Sequence, residues 1–325
     1  MQSDLALTKQ NSSVTQSQPL ISVHHRVQRL QPLHFYEFIA HFGRSHFIQQ
    51  LVSCAGCVAW PSFKMTEMAQ HMAESKILWI DLQPTLHCLN KRVAQLLSRS
   101  FVVQRWSFQH GLDESCTVDT VLDLLRSSLE EAAEPVHLVG HGISGTVACL
   151  FAEKYPALVK SLTMLSVDTL SANHWSSHYL EMRSKLSCSR KTILTHLSTF
   201  LFPRSNQRAN DAFPCLLAKC LDTDFIYGSI VSQGCIDNLK VPNIPVLVIN
   251  GDNDFVVDEK SRERWSKSLK SGDRFFCMEK GCHFFQFNQA RQAANAIISF
   301  IQMVPEPWSN RVSVNDFMSL ARGRG

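Results

Sequence analysis

Between Pro135 and Pro156 the chain reads PVHLVGHGISGTVACLFAEKYP, a strand, a tight turn and a helix in immediate succession. That unit recurs. KILWID (76–81) is a short apolar run of strand type, and CLNKRVAQLLSRS (88–100) spaces its apolar residues for a helix. FVVQRWSF (101–108) is a second strand, followed by the amphipathic TVDTVLDLLRSSLEEAA (117–133), with Thr117 placed to cap it. Strand VHLVG (136–140), a helix running to Lys154 and strand SLTMLSV (161–167) come next. The last part supplies strands PVLVING (245–251) and RFFCME (274–279) and the helix QARQAANAIISFIQ (289–302). Strands alternating with helices predict a mostly parallel sheet covered on both faces, a doubly wound α/β fold.

The alternation stops between Asp168 and about Lys240. HWSSHYLEMRSKL, TILTHLSTFLF and FPCLLAKCL all read as helical, so residues 169–240 are expected to form a helical cap inserted into a core made of 72–168 and 241–302. Ligands of such sheets bind outside the carboxyl ends of the strands, where an insertion sits as a lid. Trp175, Leu194, Leu197, Phe200, Leu201 and Phe202 are expected on its apolar underside. Residues 1–71 are expected to be an extension, disordered over the Ser- and Gln-rich first 20, with Met65, Met68 and Met72 as candidate alternative starts. Residues 303–325 are expected to be a tail, frayed or acting as a docking peptide.

Bulk properties exclude several classes. At 325 residues and 45% hydrophobic the chain can bury a large core. A net charge of +4 with scattered basic residues gives no footprint for nucleic acid. The apolar run LVSCAGCVAW (51–60) is too short to be a transmembrane segment, and the first twenty residues do not have the composition of a secretory signal. Eleven cysteines without framework spacing favour a reducing compartment, and a cytoplasmic location is expected. Cys54 and Cys57 form a C-x-x-C with no second ligand pair, which reads as two small apolar residues rather than a redox or zinc site.

From about Lys76 to Gln302 the sequence resembles the α/β-hydrolase fold superfamily, and three ordered motifs carry the resemblance. LVGHGISG falls where that family has its nucleophile elbow, G-x-S-x-G. VLVINGDNDFVV is similar to the strand and turn bearing the family's acid, which would be Asp254 rather than Asp252. EKGCHFF is similar to the segment bearing its histidine, which would be His283. The resemblance implies neither metal nor organic cofactor.

The register of the elbow decides what this implies. With Gly142 at the apex, Gly140 and Ser144 hold the flanking small positions; with Ser144 at the apex they are Gly142 and Thr146. The second register extends a buried strand through Gly140, His141 and Gly142 and shortens the following helix, so Gly142 is the expected apex and Ser144 the alternative nucleophile. Glycine there relieves backbone strain and removes the attacking oxygen. The oxyanion donors would be the N–H groups of Ile143 and Leu82; Pro84 donates nothing, and Asp81 is expected to repel a developing negative charge. Taking LVSCAG as the preceding strand, with Gly56 in the loop, is a less economical registration. His141 is expected to be structural. The expected function is a non-hydrolytic α/β-hydrolase-like protein binding a small apolar molecule or a protein partner beneath its lid. The alternative is an esterase-like hydrolase using Ser144 or a water activated by His283.

Overall fold

The computed structural model describes residues 24–29, 75–109, 117–130, 134–170, 174–203, 207–224 and 238–305. Its strands are β1 (His24–Arg29), β2 (Lys76–Ile80), β3 (Val102–Gln109), β4 (Val136–His141), β5 (Val159–Leu165), β6 (Val246–Gly251) and β7 (Arg274–Met278). They form one seven-stranded sheet in the order β1-β3-β2-β4-β5-β6-β7. All pairs from β3 to β7 are parallel, and β1 joins the edge antiparallel to β3. The helices are α1 (His87–Leu97), α2 (Val118–Glu130), α3 (Ile143–Lys154), α4 (Trp175–Lys185), α5 (Arg190–Leu201), α6 (Gln207–Thr223), α7 (Ser261–Ser268), α8 (Phe285–Asn288) and α9 (Ala290–Met303). This is the doubly wound arrangement expected from the alternation.

Alternate strand residues point to opposite faces and feed two separate cores. Leu78 and Ile80 of β2 join Val121 and Leu125 of α2 and Val147 and Phe151 of α3 on one face. Ile77 and Trp79 join Val93 and Leu97 of α1 and Ala293, Ile297 and Phe300 of α9 on the other. Helices α1, α2 and α9 therefore need one apolar stripe each, which is the pattern legible in their sequences. Helix α3 buries almost every residue from Ile143 to Ala152, and accordingly lacks a polar face. The Thr117 hydroxyl caps α2 as expected, accepting a hydrogen bond of 3.2 Å from the Thr120 N–H.

Helices α4, α5 and α6 fill the chain between β5 and β6. Trp175, Leu194, Leu197, Leu201 and Phe202 are buried in the same core as α2 and α3. Phe200 lies outside that core: it is 38% exposed and stacks on Phe255, the residue after Asp254, at 5.1 Å. No helix among the described residues is long and apolar enough to cross a membrane.

Strand β5 stops two residues earlier than its apolar run, because Ser166 turns to a positive φ of 50° and its N–H bonds Ile249 O at 2.9 Å. Helix α7 escaped the sequence reading because only Ser261 and Trp265 of its eight residues are buried, leaving no apolar stripe to detect. The Cys54–Cys57 pair, Gly56, the candidate starts Met65, Met68 and Met72, the first 20 residues and the tail beyond residue 305 lie outside the described residues.

Candidate functional site

The site forms at the carboxyl ends of β4 and β6, where three turns meet. The first joins β4 to α3. Gly142 stands alone between them with φ 52° and ψ −125°, a backbone conformation that side chains rarely adopt, and its N–H is held by Leu165 O at 2.9 Å. Close approach of strand and helix requires glycine on either side. A Cβ on Gly140 would lie 2.6 Å from Gly145 N, and one on Gly145 would lie 2.6 Å from Val167 Cγ2. Gly142 is thus the apex of the bend, and Ser144 belongs to the first turn of α3.

The second and third turns follow β6 and β7 and are locked to each other. A Cβ on Gly251 would come within 2.0 Å of Gly281 O, and the Asn253 N–H donates to that same carbonyl at 3.0 Å. Gly251→Ala is expected to destabilise the fold by about 3 kcal/mol, since backbone rather than a flexible side chain blocks the added methyl. Urea unfolding measures this; a change under ~0.5 kcal/mol would mean that the two turns part freely.

This contact sets Asp254 against His283. Both Asp254 carboxylate oxygens lie 3.1 Å from His283 Nδ1, and Oδ1 also accepts from the N–H groups of Val256 (2.8 Å) and Val257 (3.1 Å). Burial works to raise the Asp254 pKa, but the imidazole and the two backbone donors outweigh it and hold the carboxyl below its usual range. Asp252, its neighbour two residues earlier, is exposed. The carbonyl of His283 accepts from His141 Nε2 at 2.9 Å and from Ser166 Oγ at 2.7 Å, so His141 positions the loop, with its ring edge-on to that of His283 at 4.8 Å. Burial first, then His283, push His141 down to about 3. His283 itself is fully buried, and its Nε2 has no hydrogen-bond partner. A Cβ on Gly142 would stand 3.8 Å from that nitrogen.

The structure brings Gly142, Ile143, Asp254 and His283 together, with Leu82 and Ser144 alongside. The Leu82 N–H donates to Ser144 Oγ at 3.0 Å, a buried contact joining the loop after β2 to the first turn of α3. Sequence reasoning missed it, although Ser144 at a position where the motif has glycine was its visible signal. The expectation that Asp81 repels negative charge is corrected: its buried carboxylate accepts from Arg105 Nη1 at 3.3 Å. The following residues are clamped by the inserted helices, with Thr85 N–H on Asp224 Oδ2 (2.8 Å) and Trp175 Nε1–H on Gln83 Oε1 (3.5 Å). Also unforeseen are His174, pushed down to about 3 by burial and by His283 and His178, and His178, lowered by burial and His283. Cys282 adjoins the imidazole, but burial and the Asp254 and Asp252 carboxylates raise its thiol, so it carries little thiolate.

Residues 107–289 match the family described as Serine aminopeptidase, S33. An uncharacterized protein of Nostoc sp. is 29% identical over 227 residues, covering 70% of this chain and 90% of that protein. One of Synechocystis sp. is 30% identical over 230 residues, with the same coverage of 70% and 90%. Among solved structures, a candidate lipase of Acinetobacter baumannii shares the fold with a TM-score of 0.58 at 18% identity, over 77% of this chain and 99% of that one.

Proposed function

The chain belongs to the family described as Serine aminopeptidase, S33, whose architecture is that of the α/β-hydrolases, and from that premise we propose that it is a member without serine-hydrolase activity. Gly142 then stands at the nucleophile position, with Asp254 and His283 as retained acid and base. Helices α4 to α6 serve as a cap over a pocket for a small apolar molecule. One observation carries this reading: at the bend where a Cβ would stand 3.8 Å from His283 Nε2 the chain has only glycine, and among the described residues no side-chain oxygen bonds that nitrogen. Ser144 does not replace the missing hydroxyl: its Oγ accepts from the Leu82 N–H and makes no bond to His283 Nε2. That contact also fills one of the two positions from which backbone donors would meet a tetrahedral oxyanion, leaving Ile143 alone. The seven described cysteines are all free thiols, which supports a cytoplasmic setting for this role.

A fluorophosphonate probe applied to the folded protein is expected to label no serine. Stoichiometric adduct on Ser144, located by peptide mass spectrometry, would overturn the reading. A second reading draws on the unpartnered Nε2: His283, oriented by Asp254, is placed to take a proton from a water lodged in the space that Gly142 leaves. Ester turnover that persists in the fluorophosphonate-treated protein and vanishes in His283→Ala would favour it.

A further inference from the structure

The inference rests on the reading of α4 to α6 as a cap and concerns how that cap is fastened; it holds whether or not the site hydrolyses esters. We propose that Phe255, held by two cap helices, is a clasp that fastens the cap to the turn carrying Asp254, and that mild acid releases it through His178. Phe255 follows the acid directly in the chain. Its ring meets His178 of α4 at 4.9 Å and stacks on Phe200 of α5 at 5.1 Å. Phe200 and Phe255 remain 38% and 37% exposed, so they meet at the surface seam between cap and core. Contacts at such a seam part before buried ones do, because few other atoms hold them.

The same seam reaches the acid and the histidine. His178 also bonds the Val256 backbone, and the Val256 N–H donates to Asp254 Oδ1 at 2.8 Å. At the end of α5 the Leu201 carbonyl accepts from the N–H of Phe284, the residue after His283, at 3.1 Å. Parting the seam therefore removes a support from both turns.

His178 gives the seam its response to acid. Among the described residues, the titratable groups facing its ring are His174 and Glu181 from its own side and His283 and Asp254 across the seam. Burial first, then His283, lower its pKa, outweighing the Glu181 and Asp254 carboxylates and the Val256 bond, which act to raise it. Released into water the ring returns to ~6.5. The open cap thus binds a proton more tightly than the closed one, so closure is fully favoured above pH ~6.5 and yields as pH falls below it. The opposite side of the cap does not yield with it. There Asp224 accepts from the Thr85 N–H, and burial raises its carboxyl, so proton uptake favours the fastened state. The two stems of the cap are joined by the Leu239 N–H on Thr169 O at 2.7 Å. The cap pivots on the loop after β2 and parts from the turns after β6 and β7.

Amide hydrogen exchange of the full chain at pH 7.5 and 5.5, corrected for the intrinsic rate at each pH, tests the clasp. Peptides covering α4, α5 and residues 252–260 report the seam, while β4 and β5 report the whole fold. Seam peptides are expected to exchange through an opening that β4 and β5 do not share. Acidification is expected to populate it up to about 10-fold more, the limit for protonating one imidazole of pKa ~6.5 at pH 5.5. His178→Phe keeps a ring against Phe255 and cannot titrate, so it is expected to lose that factor. Phe255→Ala is expected to raise seam exchange at pH 7.5 by at least about 5-fold, since two ring contacts are lost. A wild-type seam no more open at pH 5.5 than at 7.5, unchanged pH dependence in His178→Phe, or wild-type exchange in Phe255→Ala would each overturn the clasp. Should either variant fail to fold, the wild-type comparison still decides. Seam peptides that exchange only together with β4 and β5 would sink the cap reading itself, whereas a separate but pH-independent opening leaves the cap and removes the switch.

Discussion

A chain carrying Gly142→Ser together with Ser144→Ala is expected to hydrolyse p-nitrophenyl acetate about 10²–10³-fold faster than one carrying Gly142→Ser alone. The single change restores a hydroxyl: the serine Cβ falls 3.8 Å from His283 Nε2, and one further bond brings Oγ within hydrogen-bonding reach of the base. It costs about 1–3 kcal/mol of stability, since φ 52° and ψ −125° suit glycine better than any L-residue. Attack still leads to an oxyanion with one donor, Ile143, while the Leu82 N–H stays on Ser144 Oγ. Removing that hydroxyl frees the second donor. The loop holding Leu82 keeps its place because Thr85 is bonded to Asp224 and Gln83 to Trp175, neither of which the variant touches. Initial rates of the two variants, purified in parallel and matched for folded fraction, measure the ratio. A double variant no faster than the single would show that Leu82 plays no part in stabilising the oxyanion.

The core of this fold was legible because the strands from β2 to β7 are short and largely apolar and helices α1, α2 and α9 each carry an apolar stripe. The candidate site was legible at three points for a different reason: tight turns leave small residues at fixed spacings, and Gly140, Gly142, Gly251 and Gly281 mark them in the sequence. What pattern reading cannot supply is which side chain fills a neighbour's hydrogen bond across the fold. Ser144 and Leu82 are 62 residues apart, and Asp224 and Thr85 139 apart, with no local signature tying either pair. The same holds for charge. Asp81 looked repulsive from its position alone, and only the parallel pairing of β2 with β3 puts Arg105 beside it. β1 escaped notice because an edge strand that pairs on one side needs no strong apolar run.

Acidification from pH 7 to pH 5 is expected to remove about 6 kcal/mol of folding stability, from three buried histidines in the neutral form. His137, His141 and His174 are pushed down to about 4, 3 and 3, in each case chiefly by burial. In the unfolded chain all three return to ~6.5. A group whose pKa is lowered by folding contributes stability above its unfolded value and loses it as pH falls toward the folded one. The window therefore opens below pH ~6.5, at about 1.4 kcal/mol per pH unit for each histidine. At pH 5 each has lost about 2 kcal/mol, and the sum approaches the total of 5–15 kcal/mol typical of a domain. Asp254, also lowered, adds a loss of the same sign only below pH ~3.9. Urea titrations at half-unit intervals between pH 7 and 5 give the slope, expected to reach about three protons per molecule unfolded. His137→Asn retains a polar atom for its 2.7 Å contact with Ser161 Oγ and removes one titration, so its slope should fall to about two. A wild-type slope near zero across this range would mean that the three rings reach water in the folded state.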